Sequence, residues 1–94
     1  MKPWLAVVRS DQYLLDLMAM HDTIALDNAD AAMDMFLDID DQVTHLADPN
    51  FPRRKGRKPG TLELVVHPNY IVVLEQNAST VIALALLHVA KQYP

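Results

Sequence analysis

Residues 61–74 read TLELVVHPNYIVVL, and the fold follows from this stretch. Apolar side chains alternate from Leu62 onward, which is the period of a strand with one buried face. Pro68 and Asn69 predict a two-residue turn, because proline fixes φ at the first turn position and asparagine tolerates the left-handed region at the second. A second strand begins at Tyr70. The stretch therefore predicts two antiparallel strands joined by a tight turn.

Apolar runs on either side of this pair predict two more strands. Residues 4–8 form a short run near the beginning of the chain, and residues 81–89 form a longer one after a turn at 77–79. The longer run is almost continuously apolar, which is typical of a strand buried on both faces. We therefore expect four strands.

Two amphipathic helices are predicted between the first and second strands. Ser10 and Asn28 stand where N-cap residues are expected, and apolar residues then recur every three or four positions. The first helix ends near Leu26, and Pro49 and Pro52 end the second, since proline cannot continue a helix. The two apolar stripes are Leu14, Leu17, Met18, His21, Ile24 and Ala25 in the first helix, and Ala29, Ala32, Met33, Phe36, Ile39, Val43 and Leu46 in the second.

The element order is thus β-α-α-β-β-β, which predicts an α+β fold. We expect the helix hairpin to pack on one face of an antiparallel four-stranded sheet, because a helix of about 16 residues and a strand of about seven both span roughly 23 to 24 Å. A chain of 94 residues has the length of one domain, so residues 1–94 are interpreted as a single domain.

The composition argues against several kinds of site and location. Cysteine is absent, which excludes disulfides and thiolate metal sites, and the four histidines are too scattered to predict a metal site. The longest apolar run is far shorter than a membrane span, and the first residues lack the apolar stretch of a signal peptide. We expect a cytoplasmic protein without a cofactor and without membrane contact.

Charge is distributed unevenly along a chain whose formal net charge is −4. Residues 1–48 contain ten aspartates and two cations, whereas residues 49–94 contain six cations and two glutamates. Such asymmetry favours an electrostatic partner. The aspartates of the second helix follow one face and are interpreted as a solvated face rather than as a cation site. Five of the cations form what we call the basic loop, which is Arg53, Arg54, Lys55, Arg57 and Lys58.

Three segments carry a family resemblance. They are residues 56–73 (GRKPGTLELVVHPNYIVV), residues 86–94 (LLHVAKQYP) and residues 27–32 (DNADAA). The most specific part is HPNY at positions 67–70. Together the segments resemble the ParE branch of the RelE/ParE toxin superfamily, and the resemblance extends over nearly the whole chain.

The resemblance implies a toxin of a bacterial type II toxin–antitoxin pair, neutralised by a cognate antitoxin that wraps around it. ParE-branch toxins are associated with inhibition of DNA gyrase, which implies a toxin that acts by binding a protein. The RelE branch cleaves mRNA on the ribosome, so a RelE-like mRNA interferase is one alternative. Positions that are usually basic in the family hold Leu62, Glu75, Ala85 and Ala90 in this chain. A second alternative is therefore a non-toxic protein that only binds antitoxin.

The candidate partner-binding residues are the basic loop and two methionines. The loop cations are expected to contact acidic antitoxin, gyrase or nucleic acid, or alternatively to neutralise the aspartates of the second helix. No aromatic residue interleaves with them, so direct nucleic-acid binding is disfavoured. Met20 and Met35 lie off the apolar stripes and are interpreted either as an adaptable surface for an antitoxin helix or as core packing.

His88, Lys91 and Tyr93 are the candidate catalytic residues if the chain cleaves RNA. A histidine with a tyrosine and a lysine nearby can perform acid–base work on an RNA 2′-hydroxyl. No arginine stands beside them to stabilise the charge that develops in the transition state. The enzyme is therefore the less favoured hypothesis, and His88 is interpreted as structural more readily than as catalytic.

Overall fold

The computed structural model describes residues 4–92. Each predicted helix and strand is present in this range, together with one additional short strand and one additional short helix. The strands are β1 (Ala6–Arg9), β2 (Arg54–Lys55), β3 (Leu62–His67), β4 (Tyr70–Gln76) and β5 (Thr80–His88). The helices are α1 (Asp11–Ala25), α2 (Ala29–His45) and α3 (Val89–Gln92).

The strands form one sheet in the order β1-β5-β4-β3-β2. β3, β4 and β5 pair antiparallel, as predicted, and β2 pairs antiparallel with β3. β1 instead pairs parallel with β5, with Val7 opposite Val81. The predicted four-stranded antiparallel sheet is therefore wrong in two respects, because the sheet has five strands and is mixed.

The direction of β1 follows from the path of the helix hairpin. Ser10 Oγ donates to the Leu84 carbonyl at 2.9 Å, and the Leu86 N–H donates to the Asp16 carboxylate at 3.1 Å. Along α1 and β5 these two contacts advance in the same direction, and β5 is parallel to β1. α1 therefore continues in the direction of β1 rather than folding back. α2 alone returns the chain, and the Ala47 carbonyl accepts a hydrogen bond from the residue before β1. β3 therefore starts from the same end as β1, and β5 has the direction of β1.

Both helices begin at the residues that the sequence predicts. The Ser10 side chain accepts a hydrogen bond from the Tyr13 N–H at 3.1 Å, and the Asn28 side chain accepts one from the Ala31 N–H at 3.0 Å. Each bond satisfies one of the amide groups that a helix N-terminus leaves without a partner in the helix. The two predicted N-caps are confirmed.

The hairpin of α1 and α2 covers one face of the sheet, and the core lies between these layers. Ile82 and Leu87 of β5 are partly exposed, because α1 and α2 cover only one face of the sheet. The predicted burial of this strand on both faces is therefore wrong. The core cluster consists of Leu5, Tyr13, Leu17, Met20, Ile39, Val43, Leu46, Leu64, Val66, Val72, Leu74, Val81, Ala83 and Leu86.

A polar network at the edge of this core joins β1 to both helices. The Tyr13 hydroxyl donates to Asp40 at 3.0 Å, and Arg9 donates to the Asp40 carboxylate and to the Thr44 hydroxyl, both at 2.8 Å. Burial raises the pKa of Tyr13 far above its usual value, and the Asp40 carboxylate raises it further, while Arg9 partly offsets the shift. The neutral phenol therefore holds α1 against α2.

We expect the free energy of unfolding to fall as the pH rises above about 10, and to fall less steeply in Tyr13→Phe. A tyrosine whose pKa is raised by folding contributes its full stability below the unfolded pKa of about 10 and loses it as the pH rises towards the folded value. One such group adds a slope of about 1.4 kcal/mol per pH unit. Urea unfolding of both proteins across this range measures the slopes, and equal slopes would contradict the prediction.

Candidate functional site: partner-binding surfaces

Arg53, the first cation of the basic loop, is engaged inside the protein. Its guanidinium donates to the backbone carbonyls of Leu46, Asp48 and Phe51 and to the side chain of Gln76. Burial lowers the pKa of Arg53, and the Asp48 charge partly offsets this. Because the carbonyl acceptors follow the end of α2, Arg53 ties the loop to that end.

Arg54 forms an ion pair with a carboxylate that the sequence analysis did not single out. Arg54 Nε lies 3.0 Å from Oε1 of Glu63, whose side chain is only 2% exposed. The Arg57 N–H donates to the second carboxylate oxygen at 3.3 Å. The pairing of β2 with β3 places Arg54 directly opposite Glu63. The one signal in the sequence is a glutamate within an otherwise apolar strand, a position that requires a partner when the strand is buried.

After Arg54, which is itself exposed, the basic loop has three more exposed cations, which are Lys55, Arg57 and Lys58. A hydrogen bond of 2.9 Å from the Gly56 N–H to the Thr61 carbonyl closes the turn beneath them. A Cβ at Gly56 would lie 2.2 Å from Thr61 Oγ1, so only glycine permits this close approach. The loop therefore presents three cations from an ordered turn.

A cavity of about 390 Å³ lies beside the basic loop, between α2 and the edge of the sheet. Gln42 reaches it from α2, and Phe51 and Arg54 line it from the chain before β3. Gln42 also donates to the Val66 carbonyl at 3.0 Å. The cavity thus joins the loop cations to an apolar wall, which suits contact with a protein chain more than with a phosphate.

For Met20 and Met35 the sequence left two interpretations open, a partner surface and core packing. Met20 is 5% exposed and belongs to the core, because α1 buries the face that also carries Tyr13 and Leu17. Its placement off the buried stripe is therefore wrong. Met35 is partly buried against the core. A partner contact by either residue stays a prediction, but neither presents a free side chain.

The large exposed methionines are Met18 and Met33. They lie on the solvent side of the hairpin together with the exposed Leu14 and Leu37. Helical spacing predicted all of these except Leu37 to be core residues, because spacing alone does not separate a buried residue from one at the edge of the stripe.

A small cleft at the end of β5 contains two of the three candidate catalytic residues. Asp16, Tyr70, His88 and Lys91 are among its lining, and its volume is about 170 Å³. The rings of Tyr70 and His88 meet edge to face, with centroids 4.9 Å apart. Tyr93 lies outside the described residues. Among the described lining residues, Lys91 is the cation and Asp16 is the carboxylate. The cleft therefore provides little positive charge to stabilise a phosphorane.

The four positions at which the family resemblance implies a basic residue do not share one face. Leu62 packs against the core, whereas Glu75 and Ala90 are exposed, and Ala85 lies opposite Val73 in the middle of the sheet. Over residues 4–92, no three histidine, aspartate or glutamate side chains are grouped as metal ligands would be. None of the helices in that range has the length and apolar composition needed to cross a bilayer.

Comparison with known proteins agrees with this fold. The family model of the "ParE toxin of type II toxin-antitoxin system, parDE" matches residues 7–93. A solved structure described as "Chromosomal ParDE TA system from P. aeruginosa" has a TM-score of 0.79 and 19% sequence identity, and the match covers 90% of this chain and 96% of that chain. No curated protein sequence matches the chain significantly. Because the family match extends over almost all of its residues, the chain belongs to the ParE toxin family of type II toxin–antitoxin systems.

Proposed function

We propose that this toxin acts in the cytoplasm by binding a protein target, and that a cognate antitoxin neutralises it by covering its surface. Membership of the ParE family is the observation that carries the proposal. The family resemblance makes DNA gyrase the first target to test. The similar ParDE structure supports an antitoxin of the ParD kind as the partner.

The cleft at the end of β5 supports binding rather than RNA cleavage. A phosphate placed beside His88 and Lys91 would also meet the carboxylate of Asp16. That carboxylate is held in place, because it accepts hydrogen bonds from the Leu86 N–H and from Gln12. Like charge disfavours both substrate and transition state, and catalysis of phosphoryl chemistry depends on the opposite arrangement.

The exposed cations of the basic loop are proposed as a secondary contact for an acidic partner. Lys55, Arg57 and Lys58 stand on one ordered turn, so a partner does not have to order them on binding. Arg53 and Arg54 hold the adjoining chain in place through hydrogen bonds to the Asp48 carbonyl and to the Glu63 carboxylate.

Induction of the chain alone in a bacterial host is expected to arrest growth, with loss of plasmid supercoiling as the mark of gyrase inhibition. Co-expression of the product of the neighbouring short reading frame is expected to restore growth. Lys91→Ala should leave the arrest unchanged, because a binding toxin does not need the cation in the cleft. Colony counts and plasmid topology measure these effects.

Other outcomes of this experiment identify the alternatives. Arrest that is accompanied by ribosome-dependent mRNA cleavage and is abolished by His88→Gln or Lys91→Ala would establish a RelE-like interferase. Undisturbed growth, together with tight binding of the antitoxin, would establish a protein that has kept the fold and lost the toxicity.

A further inference from the structure

The face of the sheet that is turned away from the helix hairpin is apolar. Residues that pair directly on neighbouring strands project to the same side, so the register defines this face. Val65 pairs with Ile71 and Ile71 with Leu87, while Val8 pairs with Ile82. The residues of these rows alternate along their strands with residues of the core cluster, and none of them is among its described members. We call this surface the open face, and its larger apolar members are Val8, Val65, Ile71, Val73, Ile82 and Leu87.

The open face departs from the usual pattern of a sheet with helices on one side. The outward positions of such a sheet usually carry polar side chains, because that face meets water. Here Val8 is 45% exposed on β1 and Val65 is 48% exposed on β3. The members between them are partly exposed, apart from Ile71, which is buried. They form one contiguous apolar surface, and such a surface on a small domain typically marks a site of protein contact.

The basic loop borders one side of the open face. Arg54 pairs directly with Glu63, and Glu63 with Val73, so Arg54 stands in the same row and on the same side of the sheet. The Arg57 N–H donates to the Glu63 carboxylate at 3.3 Å, which places the turn of the loop next to that row. The exposed cations of the loop outnumber the carboxylates of the described face, which are Glu63 and Glu75. The border is therefore positive.

The cavity beside the basic loop lies where the apolar surface and the cations meet. Val65 of the open face and Arg54 of the loop both line this space of about 390 Å³, and Phe51 and Leu64 add to its apolar wall. A partner side chain that enters such a recess is shielded from water, and anchors of this kind supply most of the binding energy of protein interfaces. The recess provides a place for an apolar anchor with a carboxylate beside it.

We propose that the open face binds the protein target of this toxin, through a segment of the target that is apolar and carries acidic residues on the side of the basic loop. The inference rests on the proposed function and names the surface and the chemistry of that contact. Aliphatic side chains of the target cover the outward rows of β3, β4, β5 and β1. Its aspartates and glutamates meet the loop cations, which increases the association rate and fixes the orientation.

The distribution of charge favours this occupant over others. Residues 10–52, which include both long helices, contain neither lysine nor arginine, so the hairpin side repels an acidic segment. A nucleic acid or an anionic membrane presents phosphates throughout its surface and would place some of them against the exposed Glu75. A protein segment can present carboxylates only where the cations stand. A second copy of this face would bring the same positive border and no acidic residues to match it.

A matched pair of synthetic peptides tests this chemistry against the whole chain. Both are extended and carry valines at alternate positions, one with glutamates at one end and the other with lysines there. Fluorescence anisotropy at low salt is expected to show at least roughly tenfold tighter binding of the glutamate peptide. This preference should shrink as salt shortens the Debye length below about 10 Å. Equal binding of the two peptides would overturn the proposal.

Substitutions locate the binding site. Val8→Gln with Val65→Gln is expected to weaken binding of the glutamate peptide roughly tenfold or more, since both side chains lose apolar contact. Lys55→Glu with Lys58→Glu is expected to weaken it by a similar factor, of roughly tenfold, through charge alone. The control is Leu15→Gln on α1, which is 60% exposed on the hairpin. Thermal unfolding checks that every variant folds. Loss of binding in the control alone would assign the peptide to the hairpin and refute the proposal.

Two further measurements identify other occupants of the open face. Binding of the chain to phosphatidylglycerol vesicles that the glutamate peptide does not compete away would assign the face to a membrane. A dimer in gel filtration that dissociates in the Val8→Gln, Val65→Gln variant would assign it to a second copy of the chain. Either result contradicts the proposal.

Growth assays separate this inference from the proposed function. The Val8→Gln, Val65→Gln variant is expected to leave at least roughly tenfold more surviving colonies than the unmodified chain, while it still binds the product of the neighbouring short reading frame. If the variant arrests growth as the unmodified chain does, the target binds elsewhere and the inference fails while the toxin function stands. If the unmodified chain arrests no growth, the proposed function fails, and the peptide measurements still decide whether the open face receives an acidic segment.

Discussion

Arg54→Met is expected to lower the free energy of unfolding by about 2 kcal/mol and the midpoint of thermal unfolding by about 10 °C. The reason is the carboxylate of Glu63, which is buried and loses its ion pair with Arg54. Loss of one partner of a fully buried pair costs about 3–5 kcal/mol. The cost is smaller here because the Arg54 side chain is 58% exposed, so that water can replace part of the lost interaction.

The double variant Arg54→Met, Glu63→Met isolates the buried charge. It is expected to regain most of the lost stability, because apolar replacement of both partners removes the desolvation penalty. Lys55→Met, a change of the exposed neighbouring cation, serves as the control and should alter stability by less than about 0.5 kcal/mol. A double variant no more stable than Arg54→Met would show that the carboxylate is not the source of the loss.

Leu17→Ala is expected to lower the free energy of unfolding by about 3 kcal/mol and the thermal midpoint by about 15 °C. Leu17 is 1% exposed and packs in the core on the face that α1 turns towards the sheet. Removal of its side chain leaves a cavity that helices tied at both ends cannot close. Urea unfolding with an unchanged denaturant slope measures the loss.

Leu15→Ala is the matched control for the core variant. It removes the same atoms from the same helix, two residues away, but Leu15 is 60% exposed. The expected change is below about 0.5 kcal/mol, since alanine also has the higher helix propensity. Comparable losses of stability in the two variants would mean that α1 does not pack on the sheet with the face that carries Leu17.

Much of the local structure was predictable from short stretches of sequence. The N-caps at Ser10 and Asn28 depend on side chains that bond to amides three residues away. The turn at Pro68 and Asn69 lies where proline's fixed φ predicted it, but the left-handed conformation expected at Asn69 is wrong, because none of the described residues other than Gly60 has a positive φ. Family membership was also accessible, because the HPNY segment and its surroundings resemble the ParE branch strongly enough to name it.

The surface residues were predicted less well. Periodicity assigns a residue to a helix face, but the depth of burial depends on which neighbour covers that face. Met20, for which a partner surface and core packing were both left open, is buried, whereas Met18 was assigned to the core stripe and is exposed. Arg53 has the sequence context of a solvated cation, yet its bonds to the carbonyls after α2 exist only because the chain turns back there.

Local pattern in this chain specified the helices, the strands, their caps and the uneven charge, because each depends on interactions within a few residues. The parallel direction of β1 depends on where distant segments meet, and the pairing of Arg54 with Glu63 depends on how β2 lies against β3. These tertiary contacts are determined by the packing of the helix hairpin on the sheet, in which many weak contacts act together. The cavity beside the basic loop belongs to that second group, since α2, the chain before β3 and β3 itself all line it.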